Sequence, residues 1–137
     1  MFIAKSIREK SVVEYLLYMW QMEDLIRAYG CSLTRIRREY IDRFDYTDQQ
    51  KDEEEDWFGD LIRMMNQEGK REKGHLAINE VLLQDLGDLH VRLLQSTRFP
   101  FYSAEYYRVL PFIVELRQKG DKEIGEVETC LNALYGV

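Results

Sequence analysis

The segment Ser11–Tyr29, SVVEYLLYMWQMEDLIRAY, decides how this chain folds. Large apolar side chains stand at Val13, Leu16, Leu17, Trp20, Leu25, Ile26 and Tyr29. Wound at about 100° per residue, they leave only a narrow polar strip. A helix apolar on nearly all sides needs other helices around it, so the segment predicts the central post of an all-α bundle. Its second half carries Glu23, Asp24 and Arg27 within one sector of the helix, and this sector is the first lead to function.

Outward from that post the punctuation is helical throughout, and the pattern predicts a single domain over 1–137 with five or six helices. Ser6 with Glu9 and Ser11 with Glu14 both fit a capping box, so the first helix begins at one or the other, and Gly30 closes it. Ser32 opens a second helix with a narrow stripe of Leu33, Ile36, Tyr40 and Phe44. Thr47 with Gln50 opens a third, whose acidic first turns suit the helix dipole and whose buried part is Trp57, Phe58, Leu61, Ile62, Met64 and Met65 before Gly69. Lys70–Gly74 reads as a connector. A fourth helix, 74–97, lines up Leu82, Leu83, Leu86, Leu89 and Leu93, and is expected to share a core with Leu16 and Trp20. Phe99-Pro100-Phe101 breaks it, Ser103 caps a fifth helix with a kink at Pro111, and a sixth segment runs from Gly120 to Val137.

Composition narrows the function class. An apolar share of 45% with 32% charged residues is that of an ordinary globular protein. The longest uncharged apolar run, Tyr15–Met22, falls well short of the about 20 residues that cross a bilayer, so no membrane role is expected. The opening MFIAKSIREKS lacks a secretory pattern, and Cys31 and Cys130 lack C-x-x-C partners; both point to a reducing cytoplasm. A net charge of −6 argues against nucleic acid as a partner. Arg35, Arg37, Arg38 and Arg43 nevertheless cluster ahead of the acidic run Asp48, Asp52, Glu53, Glu54, Glu55, Asp56 and Asp60. Two faces that pair with one another account for this, with a basic docking patch as the other reading.

Chemistry-bearing residues are sparse. Glu23 and Arg27 are spaced i, i+4 in the stabilising order, predicting a local ion pair. The sector then serves either as a polar network tying helices together or as a ligand pocket, with Trp20 as its wall and Arg27 as an anion clamp. Asn79 and His90, three turns apart, lie on the same stripe as Leu83 and Leu86; His90 is read as a core histidine or as an acid–base group of such a pocket. Glu72 and His75 have the Glu-x-x-His spacing of di-iron bundles, but a second pair is missing and Gly74 interrupts the first, so no metal is expected. Glu53, Glu54 and Asp56, with Asp85 and Asp88, echo carboxylates that hold magnesium and phosphates, though a solvated face explains them better. The P-loop, G-x-G-x-x-G and G-x-S-x-G signatures are missing, and no cofactor is expected.

Glu14-Tyr15-Leu16-Leu17-Tyr18-Met19-Trp20-Gln21-Met22-Glu23-Asp24-Leu25-Ile26-Arg27 resembles a family of small bacterial all-helical proteins known only as a domain of unknown function. The likeness extends through Glu72-Lys73-Gly74-His75-Leu76, Phe99-Pro100-Phe101-Tyr102 and Leu110-Pro111-Phe112-Ile113-Val114-Glu115-Leu116-Arg117. The resemblance implies an intracellular helical domain without assigned activity. It also implies longer members, with further helical sequence after the segment matching Ala133–Val137, so that a further C-terminal helix is expected to be absent from this chain.

The expected function is binding, as a protein-interaction module or homo-oligomer, through the apolar ending that includes Leu131, Leu134 and Tyr135 and runs to Val137. The rival is a small-ligand binder or enzyme built on Trp20, Glu23, Asp24, Arg27, Asn79 and His90.

Overall fold

The structure, a computed structural model, describes residues 2–136. Among them every regular element is helical: α1 (Phe2–Lys10), α2 (Val12–Ala28), α3 (Leu33–Glu39), α4 (Asp48–Glu68), α5 (Ala77–Gln95), α6 (Pro100–Lys119) and α7 (Glu126–Tyr135), with a short 3-10 turn at Ile41–Arg43. The chain forms two compact units, Met1–Glu80 and Val81–Val137.

Seven helices replace the expected five or six because residues 2–10 form a helix of their own. Ser11 is extended (φ −158°, ψ 121°), and its hydroxyl accepts the Glu14 N–H at 3.2 Å, which starts α2 afresh. Ser6 therefore lies inside α1. α3 is shorter than the apolar stripe read for it, ending at Glu39 and continuing as the 3-10 turn. α4 has the capping box read from Thr47 and Gln50, and it ends on Gly69 in the left-handed region at φ 69°, where a side chain would be strained. α6 starts at Pro100 rather than after Ser103, because proline at the first helical position loses no hydrogen bond; it then runs through Pro111 without ending. Residues 121–125 stay irregular, and α7 begins only at Glu126.

In the first unit α1 packs along α2, and α3 and the 3-10 turn pack against α4, which also meets α2. The core joins Met19, Met22 and Ile26 of α2 to Ile36 of α3, to Ile41, to Phe58, Leu61 and Met65 of α4, and to Leu76. Each such side chain contributes about 1.5–3 kcal/mol relative to an exposed one. Leu16 and Trp20 are buried as expected, whereas Val13 stays exposed. Trp57, Ile62 and Met64, expected in the core, only lean against it.

In the second unit α6 packs on α7, and Ile113, Thr129 and Leu131 are its buried residues. The leucine stripe of α5 was expected in the deep core; Leu82, Leu83, Leu86 and Leu93 are half-buried and Leu89 is exposed.

Candidate functional site

The charged sector of α2 closes on the connector that follows α4. Glu23 has no exposed surface, and its carboxylate accepts from the Leu76 N–H at 2.7 Å and from the Asn79 amide at 2.9 Å, both on Oε2. His75 Nδ1 lies 2.8 Å from Oε1. An ionised carboxylate only accepts, so Nδ1 carries the proton of that bond. The His75 ring stacks on Trp20, with centroids 4.3 Å apart and planes 15° from parallel. The carboxylate thus sits at the N-terminus of α5, where backbone N–H groups lack helical partners and the dipole favours negative charge. Glu68 of α4 accepts the neighbouring Ala77 N–H at 2.8 Å, so two carboxylates from other helices cap α5.

The expected Glu23–Arg27 ion pair does not form. Arg27 instead pairs with Asp24 at 2.9 Å, donates from Nε to the Lys70 carbonyl at 3.1 Å, and reaches the Gly74 carbonyl with Nη2. The reason is competition. Glu23 has nearer donors on the connector, while backbone carbonyls there need the guanidinium. Trp20, Glu23, Asp24, Arg27 and Asn79 are therefore brought together as a clamp on residues 70–79, with their polar groups already engaged. The Asn79 Oδ1 is the exception, buried without a hydrogen bond. His75 joins this cluster although its spacing to Glu72 suggested something else; residues 71–76 are not helical, so that spacing places nothing on one face.

Of the arginine cluster Arg37 reaches the acidic run, while Arg35 and Arg38 pair with Glu39 beside them. Arg37 binds Asp42 at 3.1 Å and Asp52 and Glu55 at 2.9 Å each, and these carboxylates, Asp52 foremost, push its guanidinium above the ordinary value. Glu54, read as one of a solvated set, is buried and accepts the Phe2 N–H at 2.9 Å.

His90 belongs to the second unit, where it lines a cavity of about 250 Å3. Its Nδ1 lies 2.6 Å from the Tyr102 hydroxyl, and its Nε2 lies 3.6 Å from Glu126 Oε2. The cavity takes Tyr102, Tyr106, Val109 and Ile113 from α6 and Glu126, Val127, Cys130 and Leu131 from α7. The neighbouring Glu126 carboxylate and then burial push the Tyr106 hydroxyl up to about 12. Burial, and then Glu126, push the Cys130 thiol up as well, which leaves it a poor nucleophile. Leu131, expected at an interface, is buried against this cavity; Leu134 and Tyr135 reach the surface, and Val137 lies outside the described residues. Nothing local in the sequence ties Glu126 to His90, because the two meet only through helix packing.

Among the described residues no group of three or more His, Cys, Asp or Glu side chains is placed to hold a metal ion, and no helix is long and apolar enough to cross a membrane. No curated protein and no solved structure matches the chain. Its full span, residues 1–137, matches one family, and the chain belongs to it: the domain of unknown function DUF4924.

Proposed function

We propose that this chain acts by binding, as a cytoplasmic helical module that associates with a second copy of itself through the outer face of α6. The observation that carries this reading is the exposure of large apolar side chains there: Phe101 is 89% exposed and Phe112 63%. Such side chains on a surface are characteristic of interfaces. Phe101 and Phe112 are three turns apart and share a face with Arg108 and Glu115. An antiparallel pair of α6 helices sets Arg108 of each copy, already held by its own Glu105, near Glu115 of the other, already held by its own Lys119, the self-complementarity a two-fold interface requires. Leu134 and Tyr135 of α7, also at the surface, extend the apolar area available to a partner.

Light scattering at micromolar concentration tests the reading. The wild-type chain is expected at twice the monomer mass, and the double variant Phe101→Glu, Phe112→Glu at the monomer mass with its helicity retained. A wild-type monomer, or a dimer indifferent to both substitutions, overturns it.

A further inference from the structure

The cavity beside His90 carries an unanswered polar group. Glu126 Oε2 is sequestered from solvent and has no hydrogen-bond partner. A carboxylate oxygen in that state is costly, since the desolvation is not offset by a donor. His90 Nε2 stands at 3.6 Å, beyond hydrogen-bond reach, and the other ring nitrogen is held by Tyr102; the Tyr106 hydroxyl faces the same carboxylate, yet Oε2 is left without a donor. Around the oxygen the walls are apolar or aromatic, chiefly Tyr102, Tyr106, Val109, Ile113 and Val127.

We propose that this cavity binds a small organic cation, a primary amine on a body about the size of one aromatic ring, with Glu126 as its counter-ion. The charge follows from the lining, which offers the carboxylates of Glu126 and Glu105 and no Lys or Arg. Glu105 is exposed and already paired with Arg108, so Glu126 is the carboxylate left for the ligand. Arg117 also has a sequestered Nε without a partner, but it is not a lining residue, and its Nη2 donates to the Lys122 carbonyl at 3.2 Å. The aromatic body follows from size and shape. An apolar cavity of about 150 Å3 holds benzene, and this one, at about 250 Å3, has room for a ring and a short arm. Two tyrosine rings add the electron-rich faces that attract an ammonium group. The site is distinct from the outer face of α6 and does not depend on self-association.

Calorimetric titration of the full chain with phenethylamine and its neutral analogue 2-phenylethanol tests the proposal. Phenethylamine is expected to bind saturably and at least about tenfold tighter than the alcohol, the margin a charge-assisted hydrogen bond supplies. Glu126→Gln is expected to erase that margin, and Val109→Phe, which fills the cavity and leaves the carboxylate in place, to abolish both interactions. In the wild-type chain, phenethylamine is expected to shift the NMR signals of Tyr102, Tyr106 and Val127, a readout that needs no variant to fold. Absence of saturable phenethylamine binding, equal affinity for the two compounds, or shifts confined to other residues overturns it.

Discussion

Glu23 illustrates how one side chain can organise many. It is fully buried, and its acceptors are filled by His75, Leu76 and Asn79. Removing it strands a backbone N–H and an amide in a place water does not reach. Glu23→Ala is therefore expected to destabilise the fold by about 3–5 kcal/mol, the range for breaking a buried charged network. Arg27→Ala is expected to cost less, about 1–2 kcal/mol, because its carbonyl acceptors lie on a connector that water can reach and Asp24 is exposed. Urea unfolding of the two variants checks the order, and a larger loss for Arg27→Ala refutes it. Sequence alone pairs the two residues with each other, since i, i+4 spacing on a helix is visible while a donor arriving from a loop 52 residues away is not.

At the level of elements, what was legible was whatever short-range chemistry writes. The Thr47–Gln50 box, the Ser11 and Ser32 caps and the Gly69 stop stand where the residue types put them, because each is settled within four residues. The apolar winding of α2 likewise told its own burial. Illegible were the ends set at a distance. α5 has no local cap and starts where Glu23 and Glu68 reach its free N–H groups, so its beginning could be placed only roughly near Gly74. α6 starts earlier than Ser103 suggests, because Pro100 supplies a preorganised first turn without any side-chain cap. Of the candidate site, the shared face of Trp20, Glu23 and Arg27 could be read from periodicity, whereas the arrival of Asn79 from another helix could not. The role of that face could not be read either, since spacing shows that charges share a face and says nothing of what they grip. The cavity was half visible: His90 stood out, but Tyr106 and Glu126, on other helices, did not.

For the molecule as a whole, the tyrosines are one route by which high pH acts on stability. Burial foremost raises the hydroxyls of Tyr18, Tyr40 and Tyr46 in the first unit and of Tyr102 in the second, and Tyr106 stands at about 12. A raised value means that the folded chain holds these protons more tightly than the unfolded chain, whose tyrosines titrate at 10.0. The resulting stability is fully present below pH 10 and drains away as pH climbs from 10 towards 12. The urea midpoint is expected to fall over that interval, with tyrosinate absorbance at 295 nm (about the usual wavelength) rising together with unfolding. A midpoint that stays constant from pH 9 to 11.5 (roughly the interval that brackets the titration) rules this out. The grip on the connector also bears on proteolysis. Lys70, Arg71 and Lys73 offer trypsin a run of cleavage sites, and Arg71 and Lys73 are exposed. Loops of this kind are where nicking ordinarily begins. Yet the carbonyls of Lys70 and Gly74 are held by Arg27, and Arg71 is tied to Asn66. A protease needs that stretch drawn out into its cleft, so cutting must wait for the segment to open, and the nicking rate becomes a measure of how often it does. Arg27→Ala is expected to be cut there several times faster than wild type while the rest of the chain stays intact.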